Sequence, residues 1–313
     1  MRLAVVHHRH PEWVPALQAA EPRLDIQGWH PRDGDSANPE WLAGAEGLFC
    51  WQLPAGLVAR MPRLRWIQNS GAGVDHLLSN PELPPGIPIS RGDGAFGLWM
   101  ARYVAGHLLA EAQRLEACAA AQRSGRWDAS ILPEDLTGQP ALVLGFGRIG
   151  RQIGLALREL GLGVTGVVRT PRLDSEFPLV GISELGPRLG VARVLVLAAP
   201  LTPATRGLMG ADLLECGNAR LTLFNVGRGE LVDTAALLLA LERGTLGRAV
   251  LDVFPEEPLP PASPLWGHPK VTVTPHHSGP STPRQMIPDI LPNLRAFAEG
   301  RPIPSAVDRV RGY

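Results

Sequence analysis

Lysine is all but missing from this sequence: Lys270 is the only one, and arginine supplies the other cations. The bias runs along the whole chain, so the base composition of the genome explains it better than any one site does. Arginine is still the better fork for phosphate and carboxylate. Net charge is missing too, with 30 acidic residues against 30 basic ones. That removes the electrostatic reason to expect nucleic acid or an anionic membrane as partner. Cysteine is down to Cys50, Cys118 and Cys216, odd in number and scattered. They build no disulfide framework and no metal spacing, and reduced thiols in a cytoplasmic protein are the expectation. Long apolar runs are lacking as well. The run in "MRLAVVHHRHPEW" is too short for a signal peptide, and no window approaches the roughly 18 apolar residues of a membrane span. The histidines of "HHRH", His7, His8 and His10, have no second cluster at ligand spacing. They read as a strand-end loop lining the cleft, and no metal is expected.

What is present is a two-domain composition: 313 residues, 45% of them apolar, as in soluble globular proteins. Short β-like runs alternate with helix-like stretches, the pattern of parallel sheets with crossover helices. Strands are expected over 2–6, 24–29, 47–51, 65–69 and 87–90, then a long helix over 95–122 whose length suits a bridge between two lobes. A second series follows at 141–145, 163–168, 193–199, 221–226, 249–253 and 271–274. Most are near-continuous apolar runs, as for strands buried on both faces. "DTAALLLALERG" (233–244) has the Asp start and Gly stop of a helix. "FPEEPLPPASPLWGHP" (254–269) is too rich in proline for helix or central strand and reads as a loop.

Within the second series, "ALVLGFGRIGRQIGLALREL" sets Gly145, Gly147 and Gly150 in G-x-G-x-x-G spacing. The first glycine permits a tight turn, the second lets backbone approach a pyrophosphate, and the third lets helix and strand pack closely. A strand before and a helix after supply the context that a bare motif lacks. A dinucleotide site that prefers NAD would carry Asp or Glu about 20 residues on, at the end of the next strand. Here Val168 stands there, followed by Arg169, Thr170 and Arg172. An uncharged side chain with guanidinium groups beside it suits a 2′-phosphate, so NADP(H) is expected to be preferred, with NAD(H) possible.

Three later strands end in polar groups: Arg228 in "LFNVGRGELVD", Asp252 with Glu256 and Glu257 in "AVLDVFPEEPLP", and His276 with His277 in "VTVTPHHSG". Ligands of open α/β sheets bind beyond the carboxyl ends of the strands. Arginine pairs with a carboxylate in bidentate fashion, histidine donates a proton near neutral pH, and a neighbouring carboxylate favours the charged imidazole. This is the set needed to reduce a 2-oxo acid. Adjacent side chains on an extended chain point opposite ways, so His276 and His277 are expected to face different surroundings.

At this point the sequence resembles the D-isomer-specific 2-hydroxyacid dehydrogenases over nearly its whole length. The likeness runs through "NSGAGVDHLL" (69–78), "LTGQPALVLGFGRIGRQIG" (136–154), "APLTPATRGLMG" (199–210), "NVGRGELVD" (225–233), "LDVFPEEPLPPASPLW" (251–266) and "VTPHHSG" (273–279). The resemblance implies an α/β fold of two Rossmann-like, doubly wound domains, the coenzyme domain inserted into a flavodoxin-like substrate domain. The substrate domain is then discontinuous, 1–93 and 282–313, around a coenzyme domain over 94–281, with "NLRAFAEGRPIPSAVDRVRGY" (293–313) as the returning segment. It implies Arg228 as substrate-binding arginine, His276 as acid/base and Glu257 as its partner. Asp252 falls to the nicotinamide carboxamide, and Ala72, Gly73 and Val74 to the loop whose amides hold the substrate carboxylate. Arg148, Ile149, Pro200 and Val226 complete the expected coenzyme set. Trp51 in "GLFCWQLP" and the arginines after the second strand look most like the glyoxylate/hydroxypyruvate reductase branch, with Trp51 as a substrate contact.

Departures from the family pattern are Arg102 where glutamate is usual, Gly227 for alanine or serine, and His277 for an apolar residue or asparagine. His107 and His268 are read as structural or surface residues, and Asp75 as a helix start beside His76. A homodimer is the family expectation. Two other readings stay open: a coenzyme-sensing, corepressor-like binding protein, and a sister dehydrogenase with another substrate such as formate or phosphite. Glu257 stands where the formate enzymes carry glutamine.

Overall fold

The computed structural model describes residues 1–36, 38–92, 94, 96–309 and 312, with residues 34–36 by backbone alone. Asp93, at the expected domain boundary, and Ala95, at the start of the expected long helix, lie outside the described residues. So do Val310, Arg311 and Tyr313 of the expected returning segment. The backbone divides into two compact units, Met1–Phe96 with Pro280–Tyr313, and Gly97–Gly279.

The first unit carries strands Arg2–Val6 (β1), Asp25–Trp29 (β2), Gly47–Cys50 (β3), Trp66–Asn69 (β4) and Ile89–Ser90 (β5). All are parallel and run in the order β2-β1-β3-β4-β5, the flavodoxin-like doubly wound order. Helices His10–Ala20 (α1), Pro39–Ala43 (α2) and Asp75–Leu78 (α3) follow β1, β2 and β4. Leu3, Val5, Leu48, Phe49 and Ile67 are fully buried in the strands, and Trp13 and Leu17 bring α1 onto them. The C-terminal stretch closes this unit. Val307 N–H donates to Ile89 O at 2.7 Å, Ala306 pairs antiparallel with Ser90, and Asn293 on the helix Pro283–Ala298 donates to Gln68 Oε1 at 3.1 Å.

The second unit contains Pro140–Leu144 (β6), Gly163–Val168 (β7), Leu179–Gly181 (β8), Val194–Leu197 (β9), Asn218–Asn225 (β10), Leu246–Leu251 (β11) and Val271–Val273 (β12). The parallel order is β12-β11-β10-β9-β6-β7-β8. The chain reverses its direction of winding between β6 and β9, the switch point where dinucleotides bind in such sheets. The edge strand β8 has three residues, too few for any alternation to be read from sequence. Helices Gly97–Ala112 (α4), Leu115–Arg123 (α5), Arg148–Glu159 (α6), Leu185–Leu189 (α7), Ala211–Glu215 (α8) and Thr234–Arg243 (α9) cover the sheet, with a buried apolar cluster on each of its faces. The ends of α9 match their sequence signals: Asp233 accepts from Ala236 N–H at 3.0 Å, and Gly244 takes φ 77.

The long helix expected over 95–122 is two helices. Ala112 O, which a continuing helix would bond four residues on, instead accepts from Glu134 N–H at 2.8 Å, and Arg114 turns to φ 54. The same corner holds a buried cation. Arg193, 3% exposed, is shared by Glu111 at 2.8 Å, Glu134 at 2.9 Å and the Thr222 hydroxyl at 2.9 Å. Such a charge is tolerable only when fully paired. Among the described residues no helix is long and apolar enough to cross a membrane.

Candidate active site

The glycine loop joins β6 to α6, and its three glycines differ in what surrounds them. Gly145 sits at φ 92, and a Cβ there would come within 2.5 Å of the Ala199 backbone. A Cβ on Gly150 would lie 2.0 Å from Gly145 O, so its absence is what lets α6 approach the loop. Around Gly147 a Cβ meets nothing within 4 Å, which leaves the start of a 12-residue helix open to approach. An open glycine at the head of α6, with first-turn N–H groups behind it, fits a pyrophosphate. Arg148 is exposed beside it and Ile149 half-buried.

Past β7, Arg169, Thr170 and Arg172 are exposed, while Val168 is buried in the core. Arg172 donates to Phe146 O at 3.3 Å, which ties the arginine segment back to the glycine loop. At the end of β9, Pro200 O accepts from the Thr205 hydroxyl at 2.7 Å. Val226, past β10, is buried, and its N–H donates to Leu197 O at 3.1 Å.

Arg228, Glu257 and His276 all belong to this same sheet. Arg228 leaves β10 through a turn that Asn225 holds with both halves of its amide. The Nδ2 donates to Arg228 O at 2.8 Å, and the Oδ1 accepts from Gly227 N–H at 3.2 Å. A Cβ on Gly229 would lie 2.0 Å from the Phe254 backbone, so the glycine allows the arginine turn to press against the glutamate loop. There Glu257 Oε1 accepts from Phe254 N–H at 2.9 Å, and Oε2 meets His276 Nδ1 at 2.8 Å. Burial alone would raise the Glu257 carboxyl. The bonds from His276 and Phe254 and the Arg228 charge outweigh it and hold the group below the ordinary glutamate value. Glu257 is thus a carboxylate facing an imidazole at hydrogen-bond range.

The two histidines part company as expected, for a different reason. β12 ends at Val273, and His276 takes φ 51, so a turn separates the rings rather than strand alternation. His277 packs edge-on against Tyr103 of α4, ring centroids 5.7 Å apart. The turn is held from beneath by Asp252, which is fully buried. Its backbone O accepts from His276 N–H at 2.9 Å, Oδ1 from His277 N–H at 3.0 Å and the Thr274 hydroxyl at 2.6 Å, and Oδ2 from Ser278 N–H at 2.9 Å. Thr274 has spent its one hydrogen there, so the Tyr103 hydroxyl 2.7 Å away donates to it. Burial pushes the Tyr103 phenol up, against the opposing effect of the Thr274 bond and with the Asp252 charge adding to it. Tyr103 and Thr274 escape a motif reading because nothing local marks two hydroxyls 171 positions apart as partners.

In the first unit, Ala72, Gly73 and Val74 lie in the turn between β4 and α3. Trp51 lies beside Gly71 and packs at a tilt against His76 with centroids 4.4 Å apart, and His76 Nε2 bonds Trp51 O. Asp75 does begin a helix. The "HHRH" reading changes: His7 is 3% exposed and packs against Trp13 and Phe49. Burial chiefly, with its cationic neighbours, lowers its pKa to about 4, so His7 is a neutral core residue. His8 is exposed. Among the described residues no three His, Cys, Asp or Glu side chains could hold a metal. His107 is half-buried against Tyr103, and His268 caps Lys270 N–H.

The family described as "D-isomer specific 2-hydroxyacid dehydrogenase, NAD binding domain" matches residues 105–278. Curated relatives include glyoxylate/hydroxypyruvate reductase A of Yersinia enterocolitica, 31% identical over 309 residues and 96% of each chain. The protein of that name from Salmonella typhi is 34% identical over 312 residues, again 96% of each chain. Among solved structures, a D-isomer-specific 2-hydroxyacid dehydrogenase of Xanthobacter autotrophicus Py2, in complex with NADPH and MES, superposes with a TM-score of 0.89. It is 36% identical, covering 100% of this chain and 99% of that one. An NADPH-dependent glyoxylate/hydroxypyruvate reductase of Sinorhizobium meliloti, in complex with NADP and sulfate, gives 0.87 at 29% identity, covering 100% and 99%.

Proposed function

The chain belongs to the D-isomer-specific 2-hydroxyacid dehydrogenase family, and within it we propose a reductase of small 2-oxo acids that prefers NADPH. It converts glyoxylate to glycolate and hydroxypyruvate to D-glycerate. The observation that carries this reading is the Glu257–His276 pair at 2.8 Å, on the sheet that also bears Arg228 and the glycine loop. An imidazole beside a carboxylate is poised to hold a proton and hand it over.

Gly145, Gly147, Arg148, Ile149 and Gly150 would hold the pyrophosphate, with Pro200 and Val226 at neighbouring strand ends. Arg169, Thr170 and Arg172 would take the 2′-phosphate, and Asp252 would serve the nicotinamide carboxamide. When bound, the reduced nicotinamide supplies a hydride to the keto carbon. His276 gives its proton to the oxygen as that bond forms, so hydride and proton together make the alcohol. Glu257 fixes the imidazole through its Nδ1 until then. Arg228 would bind the substrate through its carboxylate, and in the other unit the amides of Ala72, Gly73 and Val74, with Trp51, are the proposed substrate contacts. The reading extends to a cytoplasmic homodimer, checked by fractionation and light scattering.

The test is a matrix of kcat/KM values: glyoxylate, hydroxypyruvate and pyruvate, each with NADPH and NADH. Glyoxylate and hydroxypyruvate with NADPH should lead. A folded protein that turns over no 2-oxo acid sinks the reading, and coenzyme-dependent partner capture without turnover would favour a sensor instead.

A further inference from the structure

The carbonyls from Ser70 to Gly73 are all taken by side chains. Ser281 Oγ donates to Ser70 O, and Arg91 Nη1 to Ala72 O at 3.1 Å. A single nitrogen takes the other two: Asn69 Nδ2 donates to Gly71 O at 3.0 Å and to Gly73 O at 2.7 Å. A planar trans peptide sets its N–H antiparallel to its C=O. Two carbonyls that converge on one nitrogen therefore send the N–H groups of Ala72 and Val74 out on the far side. Neither N–H donates to any group of the described residues. Paired outward amides of this kind bind anions.

Asn69 is fully buried at the end of β4, and its Oδ1 has no donor among the described residues. A buried acceptor left over is tolerated only where the other half of the group is needed more. Turning the amide over would aim Oδ1 at two carbonyl oxygens, so both hydrogens are committed. A Cβ on Gly71 would fall 2.2 Å from the Trp51 ring. The backbone here is pinned by its carbonyls and walled by an indole.

We infer that Asn69 is a positioning residue: by clamping Gly71 O and Gly73 O it turns the Ala72 and Val74 amides toward the carboxylate of the substrate. This rests on the function proposed above and adds to it the side chain that sets the anion-binding backbone. Aspartate at this position would set a carboxylate against two carbonyl oxygens, so the isosteric change is the harsh one.

The experiment compares glyoxylate with its neutral amide, glyoxylamide, at saturating NADPH, in the wild type and in Asn69→Ala. One lost hydrogen-bonding clamp corresponds to about tenfold. Asn69→Ala should lose about that much kcat/KM for glyoxylate, mostly in KM, while glyoxylamide and the NADPH KM change by less than about twofold. Asn69→Asp should lose more. Parallel losses on both aldehydes, or none on either, overturn the assignment. Should Asn69→Ala fail to fold, Asn69→Ser retains one donor and should lose about threefold on glyoxylate alone, and unchanged discrimination there overturns it equally. If the wild type reduces neither aldehyde, the functional reading is what has failed. Oxamate titrated calorimetrically in the presence of NADPH then decides Asn69: weaker binding in the variant supports it, and equal binding refutes it.

Discussion

His276 holds a left-handed backbone, φ 51, that side chains other than glycine and asparagine rarely adopt. Such a conformation costs on the order of 1–3 kcal/mol and persists where its surroundings over-determine it. Here the surroundings are the buried Asp252 oxygens, which collect the N–H groups of residues 276, 277 and 278. Replacing His276 by Ala should cut kcat by about 10²- to 10⁴-fold, the usual worth of a general acid. His277→Ala, which loses the edge-on packing against Tyr103, should chiefly change substrate preference. Equal losses in a steady-state comparison would refute the assignment. The sign of the Glu257 shift gives a second expectation. Its folded pKa is depressed, so the carboxylate contributes stability above the ordinary glutamate range and loses it as pH falls through the folded value. Denaturant titrations of wild type and Glu257→Gln should differ most near neutrality and converge in acid; a gap that widens in acid would contradict the pairing. The pair itself was legible through the resemblance, whose motifs mark the glutamate before proline and the histidine after Thr-Pro; the strand ends alone offered Glu256 and His277 equally. The work of Asp252 was not. Its N–H partners lie 24, 25 and 26 positions on and carry no sequence label.

Among the elements, the β6–α6 turn separates glycines that close packing requires from one with open space around it. Gly145→Ala brings a Cβ against the Ala199 backbone at a positive φ and should destabilise the fold by more than about 1 kcal/mol. Gly147→Ala finds open space, so its melting temperature should hold while the KM for coenzyme rises. Thermal melts and coenzyme titrations on the two variants distinguish the roles, and matching behaviour would undo the distinction. Arg169→Ala with Arg172→Ala should lower the NADPH-over-NADH preference by about tenfold, as loss of charge-assisted phosphate bonds implies; an unchanged ratio would leave the 2′-phosphate to other groups. The glycine spacing, the strand before it and the helix after it were readable because each follows from local chemistry. The break between α4 and α5 was not. Its cause is Glu134 N–H capturing Ala112 O from 22 positions away, and the apolar pattern runs straight through it.

At the scale of the molecule, the two-lobed α/β plan follows from strand and helix signals alternating twice along the chain, while the charge network at the foot of the second sheet has no such signature. Hydrogen bonding from Arg193, against the opposing effect of burial, draws the Glu134 carboxyl from 4.5 to about 2. Its contribution, on the order of 3 kcal/mol, is complete above the unfolded value near 4.5 and drains away as pH falls toward 2. Glu134→Gln should therefore flatten the acid limb of the stability curve in that window, and an unchanged limb would show that the network carries no net weight. Cys50 makes the two units separately observable. It is fully buried in β3 with its thiol pushed up to about 12 by burial, while Cys118 and Cys216 are exposed and both lie in the other unit. A thiol reagent added to the native protein should consume two equivalents promptly and the third only as the five-stranded unit breathes open. The unmodified chain thus carries a stopwatch for half of itself, silent until that half comes apart.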